Sequence, residues 1–216
     1  MSALLQPPSL ATSRQKLLLD ADSNGLLMSP EEFLSIGAND TDSRFRYELI
    51  HGGVIVSPAV SNAQADPNED LGCLLRRYQD EHPQGSVLDY TAYERDVRVG
   101  DNIRRCDRAI WIGLGRQPEM QTDVPSIVVE FVSPGRRSFL RDYVEKRQEY
   151  LTAGIQEYWV INRFTRSMHV FVAPLSDDRE IVLEELDTYT TPLLPGFELP
   201  IRRIMAKAVR WDKSQD

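Results

Sequence analysis

The chain has 216 residues, a length that suits one domain with a real core, and its hydrophobic and charged fractions (41% and 27%) are ordinary for a globular protein. A net charge of −8 argues against a non-specific nucleic-acid binder, which would carry a basic excess to neutralise phosphates. Two cysteines, Cys73 and Cys106, are too few for a disulfide framework, and no stretch approaches the roughly 20 apolar residues of a membrane span. The start of the chain lacks the basic-then-apolar pattern of a signal peptide, so a cytoplasmic protein with no membrane partner is expected.

Residues 1–26 are rich in Ser, Pro and Gln without a sustained period and are expected to form a flexible leader. A short helix is predicted from Ser29-Pro30-Glu31-Glu32, where Ser caps, Pro takes the first helical position and acids fill the first turn. Two β-rich runs, Tyr47–Ile50 and Val54–Val56, flank His51-Gly52-Gly53 and read as a hairpin. Asp66-Pro67-Asn68-Glu69 reads as a second helix start with a capping box, followed by Leu71, Leu74, Leu75 and Tyr78 on one face.

Strands are predicted near Tyr90–Val99, Cys106–Ile112 and Ser126–Ser133, the first two joined by a turn at Gly100-Asp101-Asn102. A third helix is expected from Ser138 to Ala153, ended by Gly154, and strands follow at Glu157–Ile161 and Met168–Val172. The C-terminal part reads as weakly alternating sequence, then Pro-rich loops, then a polar tail over 206–216. From residue 66 to 161 the order is therefore helix, three strands, helix, strand.

Charge is unevenly spread. Arg95, Arg98, Arg104, Arg105, Arg108 and Arg116 crowd one stretch, whereas acids concentrate near 20–48, 66–81 and 177–187. This fits a basic rim around an acidic centre, and fits solvated charges with no partner equally well.

Glu130 is the most informative residue, because it interrupts Ile127-Val128-Val129-Glu130-Phe131-Val132, a run apolar enough to be buried on both faces. An ionised carboxylate there costs several kcal/mol without a compensating cation. Asp107 opens the strand expected beside it, and neighbouring strands lie roughly 4.8 Å apart, so the two acids can share one hard cation such as Mg²⁺. The alternatives are structural: a salt bridge from Glu130 to an arginine, and one from Asp107 to Arg104 or Arg105. Lys146 follows Asp142 by four residues on the next helix, where it either forms a surface ion pair or supplies the cation that phosphoryl chemistry requires. Glu69 is a candidate additional acid, although a capping role explains it too. No glycine-rich phosphate fingerprint, metal-ligand histidine spacing, CxxC pair or nucleophile-elbow serine is present.

Several of these segments recur together. Ser29-Pro30-Glu31-Glu32-Phe33, Tyr47–Gly53, the Asp107 strand, Val128–Pro134, Asp142…Lys146…Tyr150…Gly154–Ile161 and Thr191–Phe197 resemble, in this order, the Uma-type restriction endonuclease family, a branch of the PD-(D/E)XK nuclease superfamily. The resemblance covers roughly residues 27–205. It implies an α/β, restriction-endonuclease-like core: a mixed central β-sheet flanked by helices in the order αβββαβ, with an N-terminal helix–hairpin addition. It also implies Asp107 and Glu130 as metal-binding acids and Lys146 as the superfamily's lysine moved onto the helix, since the usual position two residues after the acid is Val132. The expected function is Mg²⁺-dependent hydrolysis of nucleic-acid phosphodiesters, DNA first, with a homodimer as a candidate assembly. The rival expectation is a catalytically inactive nucleic-acid-binding or interaction module on the same fold.

Overall fold

The structure, a computed structural model, describes residues 18–177 and 179–211. Helix α1 (Pro30–Leu34) starts as its sequence directs: Glu32 N–H donates to Ser29 Oγ (3.1 Å) and Ser29 N–H to Glu32 Oε2 (2.8 Å). Strands β1 (Phe45–Ile50) and β2 (Gly53–Pro58) form the expected hairpin, turned through His51 and Gly52 at φ 51° and 78°.

Of the expected leader, residues 1–17 lie outside the described residues, but 18–26 are built into the fold. Leu19 is buried with Phe33, Tyr47, Leu49, Val54 and Ile103, and its carbonyl accepts from Tyr47 Oη at 2.9 Å. A polar-looking segment is held here because the hairpin needs one more apolar side chain to close its own small core.

Helix α2 (Asn62–Glu81) begins four residues before the Asp66 start expected from the sequence. Ser61 N–H donates to Gln64 Oε1 (3.3 Å), so this pair caps the helix, and Pro67 lies inside it. The proline removes one ladder bond, while Ala63, Gln64, Pro67, Asn68, Leu71 and Leu75 all bury on the sheet side, and that packing decides the start.

Strands β3 (Leu88–Val99) and β4 (Asn102–Ile112) form a long hairpin turned at Gly100, φ +64°. Next come β5 (Ile127–Phe131) and a helical crossover made of α3 (Arg136–Leu140), a π-helical turn (Arg141–Glu145) and α4 (Lys146–Thr152). Then β6 (Glu157–Asn162), β7 (Ser167–Val172) and β8 (Arg179–Glu184) complete the main sheet. Its order is β2-β1-β4-β5-β6-β7-β8, with β3 on the other edge of β4. The crossover lets β5 and β6 run parallel, and the remaining pairs are antiparallel.

One core layer packs Leu71, Leu75, Ile110, Val129, Trp159 and Met168 against α2 and the C-terminal helix α5 (Ile201–Val209). The other packs Val128, Tyr150, Leu151, Tyr158, Val160 and Phe171 beneath the crossover. Helix α5 replaces the start of the expected polar tail: Ile201, Ile204, Met205 and Ala208 recur at helical spacing and are buried. A short ladder of β9 (Thr188–Tyr189) and β10 (Leu199–Pro200) leads into it.

Glu157 ties this C-terminal segment to the sheet. Its carboxylate accepts from Trp159 Nε1 (2.9 Å), Tyr189 Oη (3.0 Å) and Thr191 Oγ1 (2.6 Å), all buried. Glu157→Leu would strand three buried donors, so it is expected to lower unfolding free energy by about 3–5 kcal/mol, read from the urea midpoint, with Glu157→Gln costing less.

Candidate functional site

The far edge of β4 is divided between two strands. Near its start Ile103 pairs with Leu49 of β1, and near its end Arg108–Ile110 pair with Val129–Ile127 of β5. Across the fork, Arg104–Asp107 have no ladder partner on that edge among the described residues. Charged side chains meet the backbone there instead: Arg105 N–H donates to Glu48 Oε1 (3.0 Å), and its carbonyl accepts from Arg46 Nη2 (3.2 Å) and Lys146 Nζ (3.4 Å).

Side-chain alternation along β4 slips at the same place. Arg104 and Cys106 face the crossover helices, as do Ala109 and Trp111, whereas Arg108 and Ile110 face α2. Opposite the slip, Glu94 takes a left-handed φ of 49°. Asp107, 2% exposed, thereby reaches across the fork, where its Oδ2 accepts from Phe131 N–H (2.6 Å) and its Oδ1 pairs with Arg46 Nη1 (3.0 Å).

Glu130 and Lys146 meet beside it. Glu130 Oε1 pairs with Lys146 Nζ at 2.7 Å and accepts from Tyr150 Oη at 3.1 Å; Glu130 is 3% exposed and Lys146 2%. Lys146 opens α4 and Tyr150 follows one turn later, so one helix face presents both donors to one oxygen. Lys146 also lies 3.3 Å from Glu48, and Arg104 clamps this corner through Glu149 (2.6 and 2.9 Å).

The three candidates Asp107, Glu130 and Lys146 are thus brought to one place, and Glu69 is not. Glu69 is exposed on α2 and lines a separate cavity with Arg76 and Arg108, and the earlier helix start leaves it in mid-helix with no cap to complete. Asp107 pairs with Arg46, not with Arg104 or Arg105 as the structural alternative supposed. Nor do the arginines of β4 form a rim: Arg104 and Arg108 are buried, and Arg105 pairs with Asp96 at 3.1 Å. Arg46 and Glu48 were missed by the sequence reading. Glu48 carries the same mark as Glu130, an acid inside the β-rich run Tyr47–Ile50, and that signal would have found it.

The lysine–glutamate pair is electrostatically uneven. Burial lifts the Glu130 carboxyl above its ordinary value and Asp107 adds to the rise, while Lys146 and Arg46 oppose it. For Lys146 burial works against the charge, but Glu130, Glu48 and Asp142 more than offset it, so its pKa is raised and it stays protonated. Burial likewise works against a charged Glu48, yet Lys146 and Arg104 hold its pKa below the usual value. A cavity of about 460 Å³ adjoins the site through Glu94 and Arg105, with Phe33, Phe45 and Tyr47 on its walls.

Because the folded chain holds the Glu130 proton more tightly than the unfolded chain, the stability linked to that group falls as pH rises from 4.5 through the folded pKa. Glu130→Gln removes this dependence and leaves Lys146 its contact with Glu48. The variant is expected to match or exceed the parent's stability at pH 7, with the difference closing toward pH 4.5, in denaturant unfolding at both pH values. A large loss at pH 7 would mark Glu130 as a partner that Lys146 cannot do without.

No curated protein matches the chain. A solved structure with the same fold is a putative nuclease belonging to DUF820 from Anabaena variabilis ATCC 29413, with TM-score 0.66 and 16% identity over 84% of this chain and 99% of that one. The Uma2 family, described as "Putative restriction endonuclease", matches residues 30–202. With that match spanning most of its length and the αβββαβ order around the Asp107–Glu130 fork, the chain belongs to the Uma2 family.

Proposed function

We propose that this chain is a metal-dependent nuclease that hydrolyses phosphodiester bonds of DNA at the β4 fork. The observation that carries the reading is the convergence of Asp107, Glu130 and Lys146 at one buried point, supported by the family's description and by the same fold in a protein described as a putative nuclease. Hydrolysis adds water across one P–O bond and leaves a phosphate monoester and a hydroxyl.

Among the described residues no group of three or more His, Cys, Asp or Glu is arranged to hold a metal. The donor chemistry still fits a hard cation, since Mg²⁺ is commonly held by one or two carboxylates with waters completing its shell. Asp107 and Glu130 would hold it, and when bound the metal polarises the phosphate and lowers the pKa of water. Lys146, kept protonated by three acids, acts as a fixed cation near the developing negative charge and not as a general base. Tyr150 fixes the Glu130 carboxylate from the same helix, and Asn68 Nδ2 holds the Asp107 carbonyl at 2.7 Å. Arg46 Nη1 donates to Asp107 Oδ1 at 3.0 Å and would share that carboxylate with a cation held there.

One observation favours a binding or interaction module without turnover: both acids are already paired with the chain's own cations, Arg46 and Lys146. Cleavage of plasmid and single-stranded DNA with Mg²⁺ and with chelator separates the readings. The nuclease reading expects Mg²⁺-dependent products that vanish in Asp107→Ala. Lys146→Met should keep metal binding and lose on the order of a hundredfold in single-turnover rate. Absence of cleavage by the parent on both substrates would leave the module.

A further inference from the structure

Arg108 is a buried cation that the site above does not use. It is 3% exposed on the α2 side of β4, and its guanidinium donates only to neutral oxygens: Asn68 Oδ1 and Asn68 O (2.7 Å each) and Thr91 Oγ1 (3.0 Å). Among the described residues it forms no ion pair, and Glu69 acts on it only through space. A buried charge without a counter-charge is expensive.

The fold also gives up helix stability to admit it. Gly72 lies inside α2, where glycine is less favourable than alanine. A Cβ at that position would stand 2.6 Å from Arg108 Nη2 and 2.9 Å from Cζ, so a side chain there would displace the guanidinium.

Beside Arg108 is a cavity of about 300 Å³ whose wall includes Arg76, Arg95 and Tyr93. None of the three arginines forms an ion pair among the described residues, Glu69 is the acid on the same wall, and Tyr93 is 60% exposed. The cationic excess calls for an anion, guanidinium groups match phosphate geometry, and an exposed ring beside them suits a base.

We infer that Arg108, with Arg76 and Arg95, forms a phosphate-binding pocket on the α2 side of β4, with Tyr93 as the stacking surface for the attached base. Asn68 joins this pocket to the acids, since it accepts from Arg108 Nε and donates to the Asp107 carbonyl. The anion pocket stands without the nuclease reading; its use for a strand being cleaved rests on that reading.

The test is equilibrium binding in chelator, where no cleavage occurs, with inorganic phosphate, a deoxynucleoside 5′-monophosphate and a fluorescein-labelled single-stranded DNA as probes. The parent is expected to bind at least one of them. Arg108→Met and Gly72→Ala should each weaken binding roughly tenfold or more, and for the oligonucleotide the slope of log K against log salt should fall by about 1. Arg108→Met strands the Asn68 and Thr91 oxygens that the guanidinium now satisfies, so it is expected to melt below the parent, and binding is compared at a temperature where both remain folded. If that variant fails to fold, Gly72→Ala decides, since it displaces the same group without removing it.

Binding by the strand but not by the mononucleotide assigns the pocket to a nucleic acid, and the reverse assigns it to a free nucleotide. Parent-like affinity in both variants, or no binding of any probe by the parent, overturns the pocket. A parent that cleaves while both variants bind normally sinks the pocket alone. A parent that never cleaves, yet loses binding in both variants, sinks only the nuclease reading.

Discussion

β4 has more edge than either neighbour on that side covers, and the gap between β1 and β5 is the constraint on which the site depends. A strand in mid-sheet must satisfy each backbone N–H and C=O, and a buried orphan costs as much as a lost hydrogen bond. At the fork a glutamate accepts from Arg105 N–H, while an arginine and a lysine donate to its carbonyl. Those charged groups cannot be buried singly, so each recruits an opposite charge. Arg46 meets Asp107, and Lys146 meets Glu130 and Glu48. The ionic cluster and the incomplete ladder are one structural fact seen from two sides.

The crossover helix fits itself to that cluster through its π-helical turn, Arg141–Glu145, where an extra residue per turn shifts the helix register. Asp142, inside the turn, is buried and pairs with Arg141 at 2.9 Å. Regular helix resumes at Lys146, which places Lys146, Glu149 and Tyr150 over β4 and β5 together. The helix is therefore fastened to the fork by polar contacts at one end and by Leu151 and Ile155 in the core at the other.

The parts of this fold that were legible in the sequence are the ones fixed by local chemistry. The Ser29 cap, the His51–Gly53 turn and the strand–helix–strand run from Ile127 to Asn162 each follow from neighbours within a few residues. Glu130 was legible because an acid in a fully apolar strand has few places to go. Arg46 and Glu48 reach β4 from 61 and 57 residues away, through a β1–β4 contact with one register pair, and nothing local encodes it. The error at Glu69 has a different source. Asp66-Pro67 is a good cap locally, but the apolar face of α2 extends back to Ala63, and tertiary burial overrode the cap. Helix α5 was passed over because its nine residues include Arg202, Arg203 and Lys207, which hide the spacing of Ile201, Ile204, Met205 and Ala208.

The bulk charge of −8 is a poor guide to what such a chain can bind, and the structure shows why. Exposed charges are screened over about 8 Å at physiological salt, whereas charges held in a low-dielectric interior are screened far less. Here the interior carries Arg104 and Lys146 paired with acids and Arg108 without one, while exposed positions include Glu31, Glu69, Glu81 and Glu145. A polyanion approaching this protein would meet a repulsive far field, and a cationic near field only at the cavity beside Arg108, since the cations of the fork are each paired with an acid. Attraction of that kind rewards close, shaped contact over long-range capture, the opposite balance from a basic protein that binds any phosphate backbone it meets. A ligand for that cavity would have to fit it before it felt the charge.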